Sequence, residues 1–155
     1  LGQGKFRSDL EAEWNDQCAV LGLTTRALLR ASHIKPWSQS TDSERLDPAN
    51  GILLAAHIDA LFDRGLISFN DDGEMIVSPA LEKSEQKILR LDGCRLNKIP
   101  SIKMKRYLAY HRDKLGHQEG EFEKIGVQRL LHDQRQPVKA RRMSVWPVAS
   151  QTRHS

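Results

Sequence analysis

Between positions 33 and 63 the chain carries an imidazole at His33, a carboxamide at Asn50 and two carboxylates at Asp59 and Asp63. Brought together, these are the parts a phosphodiester hydrolase needs: a base for water, ligands for a cation that neutralises the phosphate and leaving oxygen, and a frame that holds both in line. Histidine, with an ordinary pKa of about 6.5, suits the first task. Asp59 and Asp63 stand at i, i+4 and project from one face of a helix. Two carboxylates that close repel unless a cation or an arginine lies between them, and oxygen ligands suit Mg²⁺ or Mn²⁺. His57 points about 200° away from Asp59 on an ideal helix, so it can ligate only if the helix begins after it. The Asn50 amide is placed to fix either the imidazole or the loop beside it, although Asn-Gly is also a common turn dipeptide. Asp63 has a blander use as a salt-bridge partner of Arg64 or of a basic strand residue.

Arg26, Arg30, Lys35, Arg45 and Arg64 gather around His33 in sequence and are candidates for contact with substrate phosphates, with Trp37 as a stacking surface. A second polar-aromatic group, Tyr107, Tyr110, His111 and Arg112, sits on a late helix, where core packing with a wet edge is the expected role.

The elements that would position these groups follow from pattern. Residues 1–8 read as a flexible lead-in, followed by a helix through about Gln17 with Leu10 and Trp14 on one stripe. Cys18–Leu21 reads as a short strand stopped by Gly22, and Thr24 or Thr25 opens a helical turn containing Arg26. Leu28–Ile34 reads as the next strand, ended by Lys35-Pro36 because the residue before proline is pushed extended. Residues 38–48 are polar and turn-forming, hence surface loop. Ile52–Leu54 then leads into a helix of roughly Ala55 to Arg64, with Gly65 just past its end. Alternating segments 66–70 and 74–78 flank Asp71-Asp72-Gly73, a strong hairpin signal. A helix over about 80–91, anchored by Leu81, Ile88 and Leu89, and another from Ser101 to about Leu115, with Met104, Leu108 and Leu115 on one side, complete the body. From Gly116 the chain is polar and basic, expected to be loosely ordered with one helical turn at Val127–Leu131.

Bulk properties bound the answer. The 155 residues suit one domain with a tail. Cys18 and Cys94 belong to no C-x-x-C pair, so no structural zinc is expected. The net charge of +4 resides wholly in residues 121–155, with seven basic side chains against three acidic; residues 1–120 balance at 17 each. Any nucleic-acid contact by the body must therefore use a local basic face, and the tail adds non-specific attraction to phosphate. The absence of a long apolar run or signal-peptide pattern leads to the expectation of a soluble, cytoplasmic protein without a membrane partner. Leu1 in place of a starting Met leads to the expectation of a piece of a longer polypeptide.

The ordered segments A-S-H-I-K-P-W, A-N-G-I-L-L, A-A-H-I-D-A and L-F-D-R-G-L-I-S resemble the HNH endonucleases of the ββα-metal (His-Me finger) superfamily, in the branch found in restriction-type proteins. The likeness spans about residues 5–80, with a weaker echo in R-Y-L-A-Y-H-R. It implies an α+β fold: a ββα-metal finger within 9–80, an additional β-hairpin, C-terminal helices over 81–116 and a basic tail over 117–155. It also implies metal-dependent cleavage of DNA that leaves 5′-phosphate ends. The family's general base falls on His33 and its orienting asparagine on Asn50. Where many relatives place a metal-binding histidine this chain has Asp59, with His57 two positions earlier, and a further ligand falls on Asp63. Ser32 stands where other branches carry a ligating aspartate. Lacking paired cysteines, the finger must be held by packing around Trp14, Val20, Leu53, Leu61 and Phe62. The resemblance implies a restriction or defence nuclease whose DNA-recognition part lies elsewhere, in a longer chain or a partner, with a homodimer as a further arrangement. The rival readings are a catalytically silent DNA-binding module on the same scaffold and a secreted toxin nuclease.

Overall fold

The computed structural model describes residues 2–113 and is mixed α+β. The basic stretch 117–155, Leu115 and the turn expected at Val127–Leu131 lie outside the described residues. Helix α1, Gly2–Glu13, begins where a flexible lead-in was expected. Phe6, Leu10 and Trp14 recur every four residues and all three are buried, so a continuous apolar stripe holds the segment helical despite two early glycines. The helix stops because Asn15 and Asp16 turn left-handed (φ 53° and 54°), a conformation these two residue types tolerate better than most.

Cys18–Leu21 forms turns rather than the expected strand. It is tied by single backbone bonds, Ala19 N–H to the Leu53 carbonyl (2.8 Å) and Asn97 N–H to the Ala19 carbonyl (2.7 Å). Thr25 precedes the expected helical turn, Arg26–Leu28. Strands β1 (Leu29–His33) and β2 (Gly51–Ala55) then pair antiparallel, with His33 opposite Gly51 and Leu29 opposite Ala55. Their connector is more structured than a surface loop. It contains helical turns at Trp37–Gln39 and Pro48–Asn50, and helix α2, Asp42–Arg45, opened by a Thr41/Glu44 capping box. Gly51 is required by close approach: a Cβ there would lie 2.6 Å from Phe6 Cζ and 2.7 Å from Leu10 Cδ1.

Helix α3, Ala56–Asp63, follows β2 directly and packs across both strands, completing a ββα unit. The Cys18 thiol accepts from Ala55 N–H (3.2 Å) at this junction, and Gly65 (φ +64°) ends the helix as anticipated. The second hairpin pairs β3 (Ile67–Phe69) with β4 (Met75–Val77) around Gly73 (φ +81°).

Helix α4, Lys83–Ile88, is shorter than expected, and its frame differs. Gln86 faces inward and donates to the Leu81 carbonyl (2.7 Å), which leaves Ile88 exposed rather than an anchor. Helix α5, residues 102–113, buries Met104, Leu108 and His111. Trp14, Leu53, Leu61 and Phe62 lie in one apolar core with residues of α5, and Val20 packs against it. Both cysteines are free thiols. No helix among the described residues is long and apolar enough to cross a membrane.

Candidate active site

A cleft of about 510 Å³ opens between the end of β1, the exposed side of α3 and α5, and His33, Asp59 and Asp63 all line it. His33 stands at the last position of β1. Its ring lies against Phe6 (centroids 4.0 Å apart, 9° between planes) and meets the edge of Trp37 at 5.5 Å. Nε2 is 2.9 Å from the Arg45 carbonyl oxygen. A carbonyl can only accept, so Nε2 carries the proton and the lone pair of the neutral ring is on Nδ1. Among the described residues no hydrogen-bond partner meets Nδ1.

A second histidine, His111, lines the same cleft, but both its nitrogens are engaged. Nε2 donates to the Phe62 carbonyl (3.1 Å) and Nδ1 meets the Ser68 hydroxyl (2.9 Å). Of the two rings, His33 is the one with a nitrogen available as a base.

Asp59 and Asp63 form no hydrogen bond or ion pair with any described residue. Burial, then the neighbouring Asp59 charge, push the Asp63 carboxyl above its ordinary range, and Arg64 offsets only part of this. The blander salt bridge of Asp63 to Arg64 is not formed. Ser32, inward-facing on β1, also lines the cleft, and its buried hydroxyl has no hydrogen-bond partner among the described residues. Two unpaired carboxylates and an orphaned hydroxyl make an all-oxygen donor set, which fits a hard divalent cation such as Mg²⁺ or Mn²⁺. Three or more His, Cys, Asp or Glu side chains do not converge on one point among the described residues, so water and phosphate oxygens would complete such a shell. His57 is exposed and is not part of the cleft wall; α3 starts at Ala56, before it, so the late helix start its ligation needs does not occur.

Asn50 is fully buried and acts on the connector, not on the imidazole. Its Oδ1 accepts from Lys35 N–H (2.8 Å) and its Nδ2 donates to the Glu44 carbonyl (3.0 Å). It thereby holds the loop whose Arg45 carbonyl meets His33. Among the basic candidates, Arg30 lines the cleft, its Nη1 braced by the Ala27 and Leu29 carbonyls. Trp37 is 40 % exposed on the cleft wall, with the Arg45 guanidinium 4.9 Å over its ring. Lys35 pairs with Glu44 (2.7 Å) and Arg26 with Glu11 (2.8 Å), both outside the cleft wall, while Arg64 is exposed.

Phe6 is the residue of the cleft's surroundings that sequence reasoning passed over, while Ser32 was named only as standing where other branches carry an aspartate and His111 only as core packing with a wet edge. Phe6 was detectable, since it extends the Leu10–Trp14 spacing by one turn. His111 shares the inward face of α5 with Met104 and Leu108, which reads as core packing until the partner elements are known.

No curated protein matches the chain. Residues 18–70, which hold β1, β2, α3 and β3 together with His33, Asn50, Asp59 and Asp63, match the family model described as HNH endonuclease, so the likeness to the HNH endonucleases rests on the ββα unit itself.

Proposed function

We propose that the protein is a metal-dependent DNA endonuclease. The observation that carries this reading is the shared cleft: an imidazole with Nε2 tied and Nδ1 without a partner among the described residues lines it together with two carboxylates that pair with no described residue. His33 Nδ1 takes a proton from water as the water oxygen bonds to phosphorus. The resulting imidazolium keeps its Nε2 proton on the Arg45 carbonyl, and the Phe6 face holds the ring in plane. The bond from phosphorus to the 3′ oxygen breaks, leaving a 5′-phosphate. A divalent cation, when bound, supplies charge neutralisation at the phosphate and the departing oxygen, and Asp59 and Asp63 are the residues that would hold it. Asn50 keeps the connector, and with it the Arg45 carbonyl, in register. Arg30 and Trp37 flank the cleft and suit contact with a phosphate and a base. The biological role we assign is the cleavage part of a restriction or defence protein, with DNA recognition supplied elsewhere.

A plasmid-nicking assay with Mg²⁺, Mn²⁺ or chelator tests this. Metal-dependent nicking by the wild type, and loss of about 10²-fold or more in His33→Ala at matched circular dichroism, is the expected outcome. The second reading, a silent DNA-binding module, draws on the lack, among the described residues, of three or more His, Cys, Asp or Glu side chains grouped to hold a metal. It is favoured if DNA binds without metal-dependent cutting, and equal cutting by wild type and variant removes His33 from the mechanism.

A further inference from the structure

His111 lies well beyond the stretch that matches the nuclease family, yet it lines the cleft and grips the end of the helix that carries both acids. Its ring stacks on Phe62 with centroids 3.8 Å apart and 2° between planes. Nε2 donates to the Phe62 carbonyl and Nδ1 accepts from the Ser68 hydroxyl, so the ring is fixed in orientation from two sides. The Phe62 carbonyl is one of the last-turn acceptors that a helix cannot satisfy internally; besides the imidazole it takes the Gly65 N–H (3.0 Å). That carbonyl belongs to the peptide joining Phe62 to Asp63, so the imidazole bond holds the backbone of the last α3 turn, from which the Asp63 side chain projects.

We infer that His111 is a positioning residue that sets the Asp63 carboxylate for cation binding by locking the 62–63 peptide, which makes α5 part of the catalytic unit. The inference rests on the metal-site reading above. It extends the working unit from residue 70 to at least residue 111. Both ring nitrogens are committed, so His111 moves no proton in the reaction; it acts through Phe62. Arg112 reinforces the clamp by donating to the Phe69 carbonyl (2.8 Å) and pairing with Asp71 (2.9 Å), which anchors α5 on the second hairpin. An outer group that orients a ligating side chain typically governs about 10–100-fold in metal affinity or activity.

The test measures Mn²⁺ binding to the full chain by titration calorimetry, with plasmid cleavage alongside. His111→Leu should weaken Mn²⁺ binding at least about tenfold and lower kcat at saturating metal, with KM for DNA unchanged. His111→Gln, whose amide nitrogen can reach the Phe62 carbonyl, should recover most of that loss, which a purely space-filling role would not predict. Wild-type Mn²⁺ affinity and kcat in folded His111→Leu overturn the inference and leave the nuclease reading standing. A wild type that neither binds Mn²⁺ nor cuts overturns both. If the leucine variant does not fold, Ser68→Ala, which releases one side of the ring and keeps Phe62, decides: an unchanged Mn²⁺ affinity overturns the inference.

Discussion

Phe6 lies flat on His33, 4.0 Å between ring centroids and 9° from parallel, so the first helix sets the plane of the candidate base. The ring also meets Trp37 at 83° between planes and is tied at Nε2 to the Arg45 carbonyl, which leaves the imidazole little freedom. Phe6→Leu keeps most of the buried volume but loses the flat face, worth about 0.5–1.5 kcal/mol beyond area. It should lower kcat roughly tenfold with DNA affinity unchanged, because small misplacements of a reacting group are costly. Gly51→Ala should act on the same contact from the other side, since its Cβ would displace Phe6 and Leu10, at a cost of about 1–3 kcal/mol. A shifted His33 ring signal in proton NMR would report both. Wild-type rates in folded Phe6→Leu would remove the helix from the mechanism.

Asn50 should prove structural for the connector. Asn50→Ala leaves the Lys35 N–H without a partner among the described residues, at a cost of about 1–3 kcal/mol, and takes from the Glu44 carbonyl its side-chain donor, the Asp47 N–H (3.3 Å) remaining. Asn50→Asp retains an acceptor for Lys35 but sets a carboxylate oxygen against the Glu44 carbonyl, so it should be no milder. Denaturant midpoints that stay at the wild-type value in both variants would contradict this account.

Local signals carried the turn chemistry and the helix of the site. Asp71-Asp72-Gly73 forms its hairpin with Gly73 at φ +81°, Gly65 ends α3 at φ +64°, and α3 itself falls within a residue of the expected span. The Thr41-x-x-Glu44 capping box was also visible in the residues, although the segment read as loop by its polarity. Long-range contacts hid the rest. Gly2 and Gly4 lower the helix propensity of residues 1–8, and what overrides them is burial of Phe6 and Leu10 against Gly51. The run Cys18–Leu21 has a strand's composition but forms no ladder: it closes a local turn through Leu23 and Gly22 and makes single bonds to Leu53 and Asn97. His33, Asp59 and Asp63 were picked out by type and spacing, and all three line one cleft. His111 was not, because its role exists only once α5 docks on the end of α3.

The two acids should reveal a cation by opposite signs of stability change. Without metal, Asp59 and Asp63 repel across one helical turn with no described partner, so Asp63→Asn should raise the metal-free Tm or leave it unchanged. Mn²⁺ at about a hundredfold over its Kd should stabilise the wild type by about 2.7 kcal/mol, and that increment should vanish in Asp63→Asn. His57→Ala, on the exposed side of α3, should keep both the Tm and its Mn²⁺ response. Thermal melts with and without Mn²⁺ check all three, and a full Mn²⁺ response in Asp63→Asn would exclude this carboxylate as a ligand.

Acid should release the connector between β1 and β2 before it unfolds the core. The hydrogen bond from Lys35, then the Thr41 N–H, hold the Glu44 carboxyl below its ordinary range. Burial raises Asp47, but Lys103, Tyr107 and the Ala49 N–H together outweigh it and leave that carboxyl lowered as well. A lowered folded pKa means the stabilisation is complete above the ordinary carboxylate value of about 4 and is lost as pH falls through the folded value. Both acids brace the segment that presents the Arg45 carbonyl to His33, so its release would free Nε2 of that hydrogen bond. Amide exchange at Lys35 and Asn50 should therefore accelerate below about pH 4, ahead of Leu53 and Leu54 in the core. In Glu44→Gln combined with Asp47→Asn that acid dependence should flatten, since neither amide titrates. Persistence of the full acid response in the double variant would assign it to other groups.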